Sequence, residues 1–293
     1  MLDVIIALCP ALVAGVVIFG WRALLVTAVC VVSCVIFEYL VRLIMKRENT
    51  IGDLSAVVTG MLLAFNLPVT IPLWIAVIGA FIAIVVAKQM FGGIGQNFAN
   101  PAITARIVLL ISFASHMTNW VAPQGGVDAV ATATPLALMA EPDKLPGLLD
   151  MFLGLKGGCI GEVSGLALLL GGLYLVIRRV ITPTTPLVYV GTVFLFAVIF
   201  DAQPVHQLLS GGLLLGAIFM ATDYSTAPVT ELGKIIFAFG CGLITILIRV
   251  FGSYPEGVSF AILFMNLLTP YIDKATATKP LGIRLRKEAK NKE

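Results

Sequence analysis

Charge is scarce in this sequence. Lysine, arginine, aspartate and glutamate together account for 12% of its 293 residues, whereas hydrophobic residues account for 59% and the mean hydropathy is +1.03. A soluble globular domain carries about 25% charged residues, so this chain lacks about half of the charge that a water-facing surface normally has. The composition excludes an ordinary soluble domain and predicts an integral membrane protein in contact with the lipid bilayer.

Signals for metals, nucleotides and nucleic acid are missing as well. Neither histidine, His116 or His206, has a carboxylate at zinc-ligand spacing, so no metal site is predicted. Cys30 and Cys34 stand one helical turn apart and are interpreted as small residues facing the core or the lipid. The sequence contains no Walker loop, nucleophile elbow or dinucleotide-binding fingerprint. No basic stripe with interleaved aromatic residues suggests nucleic acid.

Long apolar runs dominate what the sequence does contain. A membrane-spanning helix needs about 20 predominantly apolar residues. The candidate runs are residues 2–20, 23–44, 54–67, 72–87, 98–113, 160–177, 186–200, 205–221, 234–250 and 258–272. Several are short and rich in glycine, so half-spanning or broken helices are expected among them. The predicted fold class is therefore all-α, with about ten transmembrane helices.

The basic residues predict an orientation and a domain organisation. Lysine and arginine follow the second and sixth runs and fill the tail from Lys274. Cytoplasmic loops are enriched in these residues, so both termini are predicted to be cytoplasmic and the long connection external. The predicted divisions are a first transmembrane repeat (1–115), an external loop (116–159), a second repeat (160–273) and a basic cytoplasmic tail (274–293). The first run has no basic leader and is interpreted as a retained helix.

A weak internal repeat supports the division into two halves. The strings LLAFNLPVT near Leu62 and GAIFMATDYSTAPVT near Gly216 each precede an apolar run. Each of these runs ends at a cation, Lys88 or Arg249, beside an FGG or FGS string. The copies begin at the third and eighth runs, and an odd offset gives two halves of opposite topology, with sites at broken helices near the midplane. Chance similarity between membrane helices rich in small residues is the alternative.

The predicted external loop contains the string VDAVATATPLALM, which begins at Val127. Its small residues surround two hydroxyls, Thr132 and Thr134, downstream of Asp128. From the residues alone, this is either an exposed, flexible stretch with a hydroxyl accessible for modification or a plain loop capped by an aspartate.

This loop and four further strings resemble one family, the membrane subunits RnfD and NqrB of ion-translocating oxidoreductases. The pattern Asp-x-x-x-x-Ala-Thr-Pro-Leu resembles the family's flavin-attachment motif, and it places the attachment residue at Thr134. Upstream, this chain has Ala131-Thr132 where related sites have Ser-Gly, which leaves Thr132 as a second candidate. The other strings are FGGIGQNFANPA, GCIGEVSGLALLLGG, FMATDYSTAP and YPEGVSFAILFMNLLTP, and they occur in the family's order along the whole chain.

The resemblance implies that Thr134 carries FMN through a phosphoester bond installed by a flavin transferase. It implies a membrane subunit of a ferredoxin:NAD+ oxidoreductase of the Rnf type, coupled to Na+ or H+ translocation and inactive alone. The expected partners are RnfA, RnfB, RnfC, RnfE and RnfG, in a bacterial or archaeal cytoplasmic membrane. The resemblance is also compatible with a second, non-covalent flavin such as riboflavin. The alternatives are the B subunit of a Na+-translocating NADH:quinone oxidoreductase and a flavin-free channel or secondary transporter.

Further candidates for flavin contact come from the family strings. Gly92 and Gly93 can adopt backbone conformations closed to other residues, and their amides, near Asn97, are available to an anionic or carbonyl group. Close helix packing is the alternative role for these glycines. Asp128 in the loop and Glu162, expected at the start of the sixth helix where the helix dipole favours a carboxylate, complete this set.

Ionisable residues within apolar runs are the candidates for an ion path. A charge at the centre of a membrane helix costs roughly 2.5–3.5 kcal/mol on insertion scales, so one that is retained there suggests a function. Asp53 and Asp223, with Asn66, are the candidates for a cation path or for contacts with flavin. Glu38 and Arg106 are expected instead at the membrane interface.

Overall fold

The computed structural model describes residues 1–121, 123, 134–136, 138–139, 145–252 and 256–277. Within these ranges the regular elements are helices, which confirms the all-α prediction. The helices are α1 Leu2–Phe19, α2 Trp21–Ile44, α3 Ser55–Phe65, α4 Leu73–Phe81, α5 Pro101–Ser112, α6 Ala114–Met117, α7 Leu148–Leu153, α8 Gly165–Ile177, α9 Thr184–Ile199, α10 Pro204–Leu209, α11 Leu213–Leu215, α12 Glu231–Phe251 and α13 Val258–Thr276.

Each predicted apolar run contains a helix, but the helices differ in length. In the described part of the chain, α1, α2 and α12 are long and apolar enough to cross a membrane. The shorter apolar helices include α3, with 11 residues, and α5, with 12. The expectation of short helices is therefore confirmed.

The eighth predicted run is broken. It divides into α10 and α11, and the break falls at Gly211 and Gly212, whose φ angles of +54° and +53° lie in the left-handed region that favours glycine. Two helices also continue as π-helix, α4 over Ile82–Gln89 and α11 over Gly216–Met220. These segments belong to the fourth and eighth runs, so both halves contain irregular helix.

The half-length helix α3 is completed by another part of the chain. The amides of Ile160 and Gly161 donate to the carbonyls of Leu67 and Phe65, both at 3.1 Å, so carbonyls at the end of α3 are satisfied by backbone. Gly161 is required here because a Cβ would overlap the Phe65 ring. Residues 159–161 are thereby held inside the protein.

The two halves contact each other through helices in corresponding positions. Helix α1 packs against α8, and α5 packs against α13. Within the halves, α2 packs on α3 and α4, while α12 packs on α9 and α13. Buried side chains from both halves form one continuous apolar core.

Candidate functional site

The segment Thr134–Leu136, which contains the predicted attachment residue, lies against the break between α10 and α11. Leu136 is buried, and its side chain occupies the space into which a Cβ on Gly211 would point. That Cβ would lie 3.2 Å from Arg249 Nη2. Thr134 is only 7% exposed, so the expectation of an exposed hydroxyl is wrong for this conformation. The reason is that Leu136 anchors the segment in the protein. Asp128 and Thr132 lie outside the described residues.

Arg106 is the centre of a buried polar cluster beside this segment. Its guanidinium donates to Asn66 Oδ1 at 2.5 Å, forms an ion pair with Glu256 and lies 3.7 Å from Cys159 Sγ. Cys159 Sγ in turn donates to the Asn66 carbonyl at 3.3 Å. Arg106 is buried within the protein. Its pairing with Glu256 supplies the opposite charge that a buried arginine needs. Its position at a membrane interface stays a prediction.

Glu162 belongs to the same cluster and not to the start of a helix. Helix α8 begins at Gly165, where Ser164 Oγ caps the Ala167 amide at 3.3 Å, so the predicted helical position of Glu162 is wrong. The glycines before Glu162 and the capping serine after it delay the helix. Glu162 is buried, and within the described part of the chain its Oε2 has no hydrogen-bond partner. A Cβ on Gly212 would lie 3.4 Å from this oxygen.

Two more cations stand at the helix break. Arg249, from α12, donates to the carbonyls of Gln207, Ser210 and Gly211 at 2.7, 2.9 and 2.8 Å. The Lys156 ammonium is buried and donates to the carbonyl of Leu209. Burial lowers the pKa of Lys156 to about 8, with Glu162 opposing and the Arg249 charge adding to the shift. The three charges are therefore close enough to influence one another.

Cys159, Glu162 and Glu256 could also be considered as metal ligands, since one donor atom of each lies within 4.8 Å of the others. The Arg106 guanidinium, however, contacts both Cys159 and Glu256. A cation thus already stands at two of the three donors, and a metal ion would have to displace it. The donor set fits an arginine-centred cluster better than a metal centre.

A second polar cluster lies between α2, α3 and the π-helical end of α4. Glu38 and Lys88 form an ion pair of 2.8 Å, Lys88 also donates to Ser55 Oγ at 2.6 Å, and Gln89 Nε2 donates to Glu38 at 3.0 Å. Glu38 is fully buried in protein, and its position at a membrane interface stays a prediction. The pair is closed and hydrogen-bonded, which a buried ion pair requires.

A cavity of about 120 Å³ lies beside this second cluster. Asn97, Asp223 and Ser225 supply polar groups to its wall, together with Lys88. Asn97 Nδ2 donates to Ser225 Oγ at 3.2 Å, and Ser225 Oγ donates to Asp223 Oδ2 at 3.0 Å. The wall thus presents a carboxylate, an amide and hydroxyls, which are oxygen ligands for a small hard cation.

The structure separates residues that the sequence grouped together. Asp223 lines the cavity, whereas Asn66 binds Arg106 in the other cluster. Asp53 accepts a hydrogen bond of 2.7 Å from the Ser55 amide, which fixes the start of α3. Asn66 therefore belongs to a different cluster from Asp223, whereas Ser55, the residue that binds Asp53, lines the same cavity as Asp223.

The predicted glycine site is partly explained by backbone conformation. Gly92 and Gly93 have φ angles of +123° and +106°, as expected for positions restricted to glycine. A Cβ on Gly93 would lie 2.5 Å from Arg42 Nη2, the end of a flexible side chain that can move aside, so the positive φ is the stronger constraint. Both therefore have a structural role, and their contact with flavin stays a prediction.

Sequence reasoning missed the roles of Lys156 and Cys159. Lys156 sits in a glycine-rich loop with no pattern around it, and Cys159 is one of five cysteines scattered along the chain. The one signal that could have found Cys159 is its position near Glu162 in a family string, and Lys156 lies two residues before that string.

Comparison with known proteins agrees with the resemblance. Residues 1–282 match the model of the NQR2, RnfD, RnfE family. The chain is 50% identical over 295 residues to the D subunit of the Na+-translocating ferredoxin:NAD+ oxidoreductase complex of Acetobacterium woodii, covering 99% of the chain and 92% of that protein. It is 44% identical to the D subunit of the proton-translocating ferredoxin:NAD+ oxidoreductase complex of Clostridium ljungdahlii, covering 97% of the chain and 91% of that protein. This length of match shows that the chain belongs to the NQR2, RnfD, RnfE family.

Proposed function

We propose that this chain is the D subunit of an Rnf-type complex, a ferredoxin:NAD+ oxidoreductase that couples electron transfer to Na+ or H+ translocation. The observation that carries the proposal is the near full-length identity with the D subunits of such complexes. Among these relatives, one is named for sodium and another for protons, so the ion stays open. RnfA, RnfB, RnfC, RnfE and RnfG are the proposed partners in the cytoplasmic membrane.

The proposed cofactor is FMN, bound covalently at Thr134. On the flavin transferase, the Thr134 hydroxyl oxygen would form a bond to the FMN phosphorus of flavin adenine dinucleotide. The bond from that phosphorus to AMP would break, AMP would leave, and the hydroxyl proton would be released. The residues present fit such a group: the segment is anchored at Gly211, and the Arg249 cation lies beside that anchor. FMN would supply reversible one- and two-electron transfer. The chain's own residues would hold its phosphate and exclude water.

The buried position of Thr134 has a consequence for this attachment. Thr134 as a whole is 7% exposed, which leaves little of it accessible to a second protein. The transferase would therefore act while the segment is displaced from the helix break, and the segment would dock with its flavin afterwards.

The inverted repeat and the orientation are proposed on the packing of the helices. The contacts of α1 with α8 and of α5 with α13 join corresponding positions, as a two-fold relation between the halves requires. The broken α10–α11 pair and the half-length α3 are the corresponding interrupted elements. With about ten spans and cytoplasmic termini, the Thr134 segment is external and the cavity near Lys88 opens towards the cytoplasm.

The cavity favours an ion over a second flavin. Its volume of about 120 Å³ is well below the roughly 300–1,000 Å³ of ligand pockets for larger molecules. A small cation with a few waters fits it, whereas riboflavin would require the walls to open. We therefore place the ion contact at Asp223 and Asn97, and riboflavin stays a prediction.

Covalent flavin is tested by in-gel fluorescence of the denatured chain. The full chain is expressed with and without an active flavin transferase, as wild type, Thr134→Ala and Thr132→Ala. We expect fluorescence that requires the transferase, disappears in Thr134→Ala and persists in Thr132→Ala, because only the first variant lacks the attachment oxygen. Wild-type chain that stays dark beside an active transferase would favour a flavin-free channel or transporter.

A further inference from the structure

The charges around the helix break do not balance. Arg106, Lys156 and Arg249 are three cations that interact electrostatically with two carboxylates, Glu162 and Glu256. The cluster therefore carries one positive charge in excess among the described residues. An uncompensated charge in a buried site is costly, because its hydration is lost without an opposing charge in return.

The excess belongs to Lys156 and Arg249. Arg106 is paired with Glu256. In the ranges that the structure describes, neither of the other two cations lies within ion-pair distance of a carboxylate. Their hydrogen bonds go to neutral oxygens, at Leu209 for Lys156 and at the helix break for Arg249. The Arg249 Nε has no partner among the described residues, so donor capacity remains.

Both cations stand at the place where the attachment segment docks. Arg249 binds the carbonyl of Gly211, the residue against which the Leu136 side chain rests. Lys156 binds the carbonyl of Leu209, two residues before Gly211. Thr134 precedes Leu136 by two residues, so its backbone lies within about 7 Å of the residue that rests on this break.

We propose that Lys156 and Arg249 form the receptor for the phosphate of the flavin attached to Thr134. This inference rests on the proposed function. A phosphodiester carries one negative charge, which is shared by two non-bridging oxygens that accept hydrogen bonds. This charge would balance the excess positive charge, and the oxygens would accept from the donors of Lys156 and Arg249 that have no partner in the described part of the chain. Lys156 and Arg249 are positioning residues in this scheme: they hold the flavin's tether at the helix break and touch no reacting atom.

The test is a thermodynamic cycle on the full chain in detergent. Wild type and Lys156→Gln are each prepared with and without flavin, by omitting the transferase, and their thermal midpoints are measured. We expect attachment to raise the midpoint of wild type by roughly 2–4 °C, the effect of one charge-assisted contact in a chain of this size. In Lys156→Gln most of this rise is lost, and Lys156→Arg restores it.

The matched control is Arg178→Gln, which removes an exposed cation that is paired with Asp3. It should leave the rise on attachment unchanged. A loss of stability that is equal with and without flavin in Lys156→Gln would show that the lysine only binds the Leu209 carbonyl, and would overturn the proposal. Absence of in-gel fluorescence in the wild type would instead contradict the proposed function, so the two failures are distinguishable.

Discussion

At the scale of single residues, the two aspartates that the sequence placed together are separated by their contacts. Asp223 faces the cavity and accepts hydrogen bonds from Ser225, whereas Asp53 holds the Ser55 amide at the start of α3. One carboxylate thus lines the cavity, and the other completes a helix end.

We predict that Asp223→Asn weakens ion coupling in the assembled complex. Losing a charged contact costs at least about 1.4 kcal/mol, so the Na+ concentration for half-maximal activity should rise about tenfold or more. If the ion is H+, electron transfer should continue while proton uptake into inverted vesicles falls. Ion uptake by these vesicles and their reduction of NAD+ are measured together.

Asp53→Asn is the control for this measurement. Asparagine keeps the side-chain oxygen that accepts from the Ser55 amide, so helix α3 should keep its start. Wild-type coupling in both variants would remove Asp223 from the ion path.

The sequence predicts which residue types occur at the proposed attachment site, but it does not predict which residues pair with one another in the fold. The string around Thr134 is local and can be read from the sequence. The pairs Lys88–Glu38 and Arg106–Glu256 join residues that are 50 and 150 positions apart. Nothing in the spacing of such residues identifies the partner, because it depends on how the helices pack.

At the scale of elements, the contact between α1 and α8 depends on a small residue. Gly171 of α8 faces the carbonyl of Ala7 so closely that a Cβ would overlap this backbone atom. Small residues at such crossings let helix backbones approach within a membrane.

We predict that Gly171→Ala destabilises the chain, since the obstructing atom is backbone and cannot move aside. Overpacking of this kind costs typically about 1–3 kcal/mol. Gly191→Ala in α9 is the matched control: its Cβ would meet nothing within 4 Å, and alanine favours a helix by about 1 kcal/mol over glycine. Thermal midpoints in detergent should therefore fall for the first variant and hold or rise for the second.

Helix positions were predictable because apolar runs of sufficient length mark them. The interruptions were only partly predictable. Glycines mark the break at Gly211, and Ser164 marks the start of α8, but the contacts of these places with Leu136 and Leu67 join residues that are distant in sequence. The π-helical segments also have no counterpart in local composition.

At the scale of the whole molecule, the proposed orientation places residues 145–147 outside and Arg179 inside. We predict that alkaline phosphatase fused after Gly147 is active, and that the same enzyme fused after Arg179 is inactive, because it folds only outside the cytoplasm. A fluorescent protein fused after the last residue should be bright, as expected for a cytoplasmic terminus. The reverse pattern would place the Thr134 segment and its flavin on the cytoplasmic side.

The pairing of Arg106 with Glu256 has a consequence for biosynthesis. At roughly 5–20 residues per second, a ribosome needs about 8–30 s to add the 150 residues that separate them. During that interval helix α5 carries an arginine whose partner has not yet been made, and the first half of the protein cannot reach its final packing. Glu256, just before the helix that begins at Val258, therefore supplies the last partner, and a chain that ends before Glu256 would present an unpaired charge to the quality-control proteases of the membrane.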